Sequence, residues 1–132
     1  MATLLIVDDD TLIRDTLHEF LSENHECHTA DRAEQALSYL EVERYDAVIT
    51  DVSMPGLTGR EILMYVQNQH PNTPVIVISG KPDGADGKSL VEMGAFAYIT
   101  KPFQLDEIEA TVNRAIEQHI SLAAEQNENP SI

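Results

Sequence analysis

The residues with chemical potential stand where apolar runs stop. LLIVDDD, residues 4–10, passes from four aliphatic side chains straight into Asp8, Asp9 and Asp10. YDAVITD ends in Asp51, PVIVIS in the hydroxyl of Ser79, and AFAYITK in the ammonium of Lys101. Carboxylates about 4 Å apart repel by roughly 1 kcal/mol in water and several-fold more in a partly buried site. Gathered together, these acids would need positive charge. Lys101 supplies one, and a small hard divalent cation, Mg²⁺, suits oxygen ligands and completes its shell with phosphate oxygens. An aspartate, a metal, a hydroxyl and a lysine are the parts for phosphoryl transfer onto a carboxylate, where catalysis is mostly positioning and charge neutralisation. Taken singly, each residue has an ordinary explanation. Asp10 or Thr11 can cap a helix whose dipole favours acids there, and Ser79 and Lys101 can be plain strand exits. A helix needs only one cap, however, so Asp8 and Asp9 are left over.

For those chain ends to meet, the elements behind them must share one sheet edge. TLLIV (3–7), ECHTA (26–30), YDAVIT (45–50), PVIVIS (74–79) and AFAYIT (95–100) are short runs that read as strands, four of them nearly continuous hydrophobics. Helical stripes lie between them: Leu12, Ile13, Thr16, Leu17, Phe20 and Leu21; Ala33, Ala36, Leu37 and Leu40; Ile62, Leu63 and Val66; and finally Leu105, Ile108, Val112, Ala115, Ile116 and Ile120. Asp31 with Glu34, and Thr58 with Glu61, match the capping-box pattern. HPNTP (70–74) reads as a turn. Pro82, Gly84 and Gly87 crowd the start of a fourth helix, which is expected to be short, about 88–93, and mobile at its start. The alternation predicts an α/β fold. Eight-stranded closure needs a longer chain, so the expected architecture is a doubly wound, five-stranded parallel sheet in order 2-1-3-4-5 with helices on both faces. Ligands of such sheets bind beyond the carboxyl ends of the strands, where strand order reverses. That place is the edge carrying Asp8, Asp9 and Asp51.

The chain has 132 residues, the length of one ordinary domain. We expect that domain over residues 1–123 and a disordered polar tail over 124–132. Eight Lys plus Arg against 23 Asp plus Glu give a formal charge of −15, which disfavours direct binding to nucleic acid or anionic membranes. No apolar run approaches a membrane span, and the N-terminus lacks the pattern of a secretory leader. With a single cysteine, Cys27, a cytoplasmic location is expected.

VDDD (7–10), YDAVITDVSMPGLTG (45–59), VIVISG (75–80) and YITKPF (98–103), in that order and spacing, resemble the receiver domains of two-component response regulators, especially the chemotaxis type. The resemblance covers residues 3–122 and implies a phosphorylated signalling switch rather than an enzyme acting on other molecules. By it, Asp51 is the phosphoacceptor, Asp9 a direct Mg²⁺ ligand, Asp8 an acidic partner acting largely through metal-bound water, and the Ser53 backbone carbonyl a third metal contact. Ser79 would hydrogen-bond a phosphoryl oxygen and Lys101 would pair with the phosphate. The Lys101–Pro102 bond would be cis, and Tyr98 would be the aromatic switch. Ser53 and Lys81 fall at positions that tune phosphate lifetime in the family. The implied partners are a histidine kinase or phosphotransfer protein upstream and an output protein or domain downstream, met through the face of the fourth helix, fifth strand and fifth helix. The implied state is a monomer or a phosphorylation-dependent dimer.

Other readings are weaker. A phosphatase of the haloacid-dehalogenase type also uses a strand-end aspartate, a hydroxyl, a lysine and Mg²⁺. It would leave Asp51 without a role, and Thr11 falls one position early for its motif. A docking module without chemistry would not need all five chemical positions filled. His25, Cys27 and His28 are neighbours in sequence, but on a strand His28 faces away from the other two, which argues against a shared metal.

Overall fold

The computed structural model describes residues 2–52, 59–80 and 85–128. Its elements alternate strictly: β1 (Thr3–Val7), α1 (Thr11–Leu21), β2 (Glu26–Ala30), α2 (Ala33–Val42), β3 (Ala47–Asp51), α3 (Gly59–Gln69), β4 (Val75–Ser79), α4 (Ala85–Glu92), β5 (Ala97–Thr100) and α5 (Leu105–Glu128). The strands form one sheet in the order β2-β1-β3-β4-β5, with every pairing parallel. The architecture expected from the alternating pattern is therefore the one observed.

The composition of the strands follows from their position. β3 and β4 are buried along their whole length and β1 nearly so, because helices cover both faces. β2, at an edge, is mostly half-exposed and tolerates Glu26, His28 and Thr29. Alternate residues of the inner strands feed two cores. Leu5, Val7, Val48 and Val77 pack with Leu40, Ile62, Leu63, Val66 and Leu90 on the face covered by α2, α3 and α4. On the other face, Leu4, Ile6, Ile49, Ile76 and Ile78 pack with Leu17, Leu21, Ile108, Val112 and Ala115 of α1 and α5. Leu4, Leu5 and Ile6 are wholly buried, each contributing about 1.5–3 kcal/mol.

Some element boundaries agree with expectation and others depart from it. Asp10 caps α1, its carboxylate accepting from the N–H groups of Leu12 (2.9 Å) and Ile13 (3.3 Å). Leu12, assigned to the apolar stripe, is 75% exposed. The expected Asp31–Glu34 box does not form. Arg32 occupies the cap position without a side-chain bond, and Gln35 Oε1 accepts from Asp31 N–H at 3.0 Å instead. Thr58, the partner of Glu61, lies outside the described residues. β3 starts later than expected, since the Asp46 carboxylate turns back to accept from Thr3 N–H at 2.7 Å. β4 begins after Pro74, which lacks a ladder donor but accepts from Val48 N–H at 3.0 Å. α4 starts at Ala85, ahead of residue 88, and Pro82 and Gly84 are outside the described residues. α5 continues past residue 123 to Glu128, where alanines, glutamates and glutamine favour helix more than their polar composition favours disorder. Residues 129–132 are not described. Among the described residues, no helix is long and apolar enough to cross a membrane.

Candidate functional site at the carboxyl edge of the sheet

The parallel registers carry the ends of β1, β3, β4 and β5 to one rim. Val7 lies opposite Thr50, Asp51 opposite Ile78, and Ser79 opposite Thr100. The residue after each alignment is thus delivered to the same edge. One carboxylate oxygen from each of Asp8, Asp9 and Asp51 lies within 4.8 Å of the other two. Asp8 and Asp51 are buried and Asp9 is exposed, so the cluster opens to solvent on one side. Ser79 is buried at the end of β4, and its carbonyl accepts from Lys101 N–H at 2.8 Å, which ties the start of the β5–α5 loop to the rim. The Lys101–Pro102 peptide is cis, as the resemblance implied.

Lys101 bridges the acids. Its Nζ donates to Asp51 Oδ2 at 3.1 Å and lies 3.1 Å from Asp8 Oδ2, close enough for an ion pair there but not aligned as a hydrogen bond. Asp8 Oδ1 accepts from Asp10 N–H at 2.9 Å, whereas the buried Oδ2 has no hydrogen-bond donor among the described residues. Among the described residues, Asp8 and Asp51 share the Lys101 ammonium, with the Asp9 carboxylate beside them. A buried Asp8 oxygen without a hydrogen-bond donor among the described residues, in a cluster of three carboxylates, is what a divalent cation would satisfy, so the donor set fits one.

Proton affinities report the same strain. Burial pushes the Asp8 carboxyl above its usual range; the Asp10 N–H opposes this, Asp51 adds to it, and Lys101 opposes it. Burial pulls Lys101 down, but Asp51 and Asp8 together outweigh it and the net direction is up. The folded chain therefore holds the Asp8 proton more tightly than the unfolded chain. The associated stability is full below the ordinary carboxylate range and is lost as pH rises through the raised value. Without metal, Asp8→Asn is expected to be more stable than the wild type at neutral pH. The gap should narrow as pH falls toward the carboxylate range and Asp8 itself takes up a proton. Urea midpoints of both chains at neutral and acidic pH check this, and a gap independent of pH would contradict it.

The neighbourhood adds residues that no sequence pattern signalled. Arg14 Nη1 donates to the Asp8 carbonyl at 2.8 Å. Thr50 Oγ1 donates to the Asp51 carbonyl at 3.0 Å. At Gly59, the first residue of α3, a Cβ would lie 2.5 Å from Asp51 O and 2.9 Å from Val52 Cα, so the helix begins directly against the backbone bearing Asp51. Tyr98 sits opposite Val77 in β5, half-buried against the core on the α2–α4 face. Ser53, Met54 and Lys81 lie outside the described residues.

The remaining candidates are otherwise engaged. His28 Nδ1 shares a hydrogen bond with Tyr45 Oη at 2.8 Å, and its Nε2 meets Glu26 at 3.1 Å. Cys27 packs into the opposite core, and His25 Nδ1 accepts from Ala2 N–H at 3.2 Å, so the three do not converge. A cavity of about 420 Å³ bounded by Tyr45, Asp46, His70, Thr73 and His119 opens at the amino ends of β3 and β4. The parallel strands place it at the far edge from the aspartates.

The response regulator receiver domain family matches residues 4–113. The DNA-binding transcriptional regulator NtrC of Klebsiella pneumoniae is 36% identical over 115 residues, which cover 86% of this chain and 24% of that protein. The chain thus spans about a quarter of the length of that relative. Among solved structures, a receiver domain protein of Clostridium thermocellum superposes with a TM-score of 0.87 at 30% identity, covering 92% of this chain and 99% of that one. NtrX of Brucella abortus superposes with a TM-score of 0.88 at 35% identity, covering 96% of this chain and 29% of that one.

Proposed function

The chain belongs to the response regulator receiver domain family, and from that membership we propose that it accepts a phosphoryl group on Asp51 from a histidine kinase or phosphotransfer protein. The observation that supports this most directly is the rim itself: three carboxylates within 4.8 Å of one another, with Lys101 at 3.1 Å from two of them. An Asp51 carboxylate oxygen attacks phosphorus, the bond to the donor's imidazole nitrogen breaks, and an acyl phosphate forms. Asp8, Asp9, Asp51 and the Ser53 carbonyl would hold Mg²⁺, which would supply charge neutralisation for the transfer. Lys101 pairs with one phosphoryl oxygen and the Ser79 hydroxyl donates to another. Water later hydrolyses the acyl phosphate at the same site, so the chain catalyses only its own phosphorylation and dephosphorylation.

The output is a population shift. The phosphoryl group adds about −1.5 to −2 charge at the rim. Ser79 is drawn toward it, and Tyr98 turns into the space left behind, changing which partner the α4–β5–α5 face prefers. Similarity to the transcriptional regulator NtrC favours a downstream partner that serves transcription, while the acidic charge of this chain disfavours its own contact with DNA. We place the reaction in the cytoplasm, with the chain a monomer or a dimer formed on phosphorylation.

Intact mass after incubation with Mg²⁺ and a small acyl phosphate tests the acceptor. Wild type is expected to gain one phosphoryl group and Asp51→Asn none. Equal gain by both would remove Asp51 from the role, and sustained turnover of the donor without a phosphorylated chain would favour a phosphatase.

A further inference from the structure

We infer that Arg14 is a positioning residue for the divalent cation site. This rests on the reading that Asp8, Asp9 and Asp51 hold such a cation. β1 ends at Val7, so the Asp8 carbonyl is the first one past the strand. The Arg14 guanidinium, half-buried on the first turns of α1, fills that gap by donating to it at 2.8 Å.

The peptide unit joining Asp8 to Asp9 is planar. Fixing its carbonyl therefore constrains ψ of Asp8 and φ of Asp9, and with them the positions from which both side chains leave the chain. Other bonds hold the flanks: Asp8 N–H donates to Ala30 O at 3.1 Å, Asp10 N–H to Asp8 Oδ1 at 2.9 Å, and Arg14 N–H to Asp10 O at 2.9 Å. The Asp10 bond closes an Asx turn across the Asp8–Asp9 plane, and the Arg14 bond is the one made to the carbonyl of that plane itself. A tilt of that plane would swing the exposed Asp9 carboxylate, which has no such anchor among the described residues, away from Asp8 and Asp51. Asp8 would move less, being held by Lys101 and Asp10.

Charge and position make opposite demands at Arg14, and this separates them experimentally. As a mere positive charge near three acids, Arg14 would weaken cation binding, so its removal would strengthen it. As a positioning group, its removal weakens binding. Partners that orient metal ligands typically matter by about tenfold or more in affinity. Mg²⁺ titrations followed by the backbone amide resonances of Asp9 and Asp10 would compare wild type, Arg14→Ala and Arg14→Lys, alongside thermal midpoints without metal. Arg14→Ala is expected to raise the Kd for Mg²⁺ about tenfold. Arg14→Lys, with the charge but not the planar fork, should fall between the two. A wild-type chain that shows no Mg²⁺ response would overturn the reading of the site itself. A responsive wild type with equal or tighter binding by Arg14→Ala would overturn the role of Arg14 alone. Should the alanine chain fail to fold, a lysine chain that folds and matches wild-type affinity would overturn it equally.

Discussion

In metal-free buffer, Lys101→Met is expected to lower the unfolding free energy by about 3 kcal/mol. Methionine keeps the packing of the stem and removes only the charge. The Asp8 and Asp51 side chains are 1% and 6% exposed, and that of Lys101 18%, so the group being lost is itself largely buried. Removing one partner of a buried ion pair usually costs about 3–5 kcal/mol, because the other charge stays behind without compensation. The lower end applies because Asp8, whose proton affinity is already raised, can take up a proton instead of remaining charged. Asp8→Asn in the same chain should return most of the loss, since a single buried carboxylate then remains. Mg²⁺ should do the same in the single variant by a different route, binding the folded state in preference to the unfolded. Urea unfolding of the two variants and their combination, with and without Mg²⁺, measures each arm. An unchanged midpoint for Lys101→Met would mean that the ion pair contributes nothing.

Gly59→Ala should injure both stability and phosphoryl uptake although residue 59 bears no chemical group. The added methyl would meet Asp51 O at 2.5 Å, Val52 Cα at 2.9 Å and Asp51 C at 3.2 Å, all of them backbone atoms that cannot rotate aside. Alanine gains at most about 1 kcal/mol of helix propensity over glycine. Overpacking against backbone costs about 1–3 kcal/mol. The clash therefore wins, and relief requires α3 to lift or the Asp51 segment to shift. Displacing an attacking carboxylate by about 1 Å can cost on the order of a hundredfold in rate, so uptake from a small acyl phosphate should slow at least tenfold. Gly80→Ala is the control. It stands at the same rim, yet among the described residues its Cβ would touch only Lys101 Cδ at 3.9 Å, and both readouts should stay near wild type.

Much of this architecture was legible in the chain, for identifiable reasons. Thr3–Val7 and Glu26–Ala30 match the expected bounds of β1 and β2 to the residue, because an abrupt change from apolar to polar or turn residues frames each. The convergence of Asp8, Asp9 and Asp51 follows from strand order, which the alternating pattern already limits. Less legible were features decided by contacts across loops. Gln35, not Glu34, reaches back at the start of α2, since the helix begins after Arg32. Neither the bond of Arg14 to the Asp8 carbonyl nor the seat of Gly59 on Asp51 has a local signature. An arginine or glycine at those places reads as an ordinary surface or turn residue until the third dimension is known. The length of α5 was hidden by composition, because a polar, acidic segment of good helix formers looks like a tail.

The all-parallel sheet also governs when the site comes into being. Parallel neighbours cannot be joined by a hairpin, so each pairing waits for an intervening crossover, and Lys101 closes on Asp51 from 50 positions along the chain. Such distant pairings are slow to form and are reached late in folding. A chain still emerging from the ribosome without β5 has its aspartates but no lysine among them. Competence to receive a phosphoryl group would then arise only when the last strand docks, and the signal it carries would be confined to molecules that have finished folding.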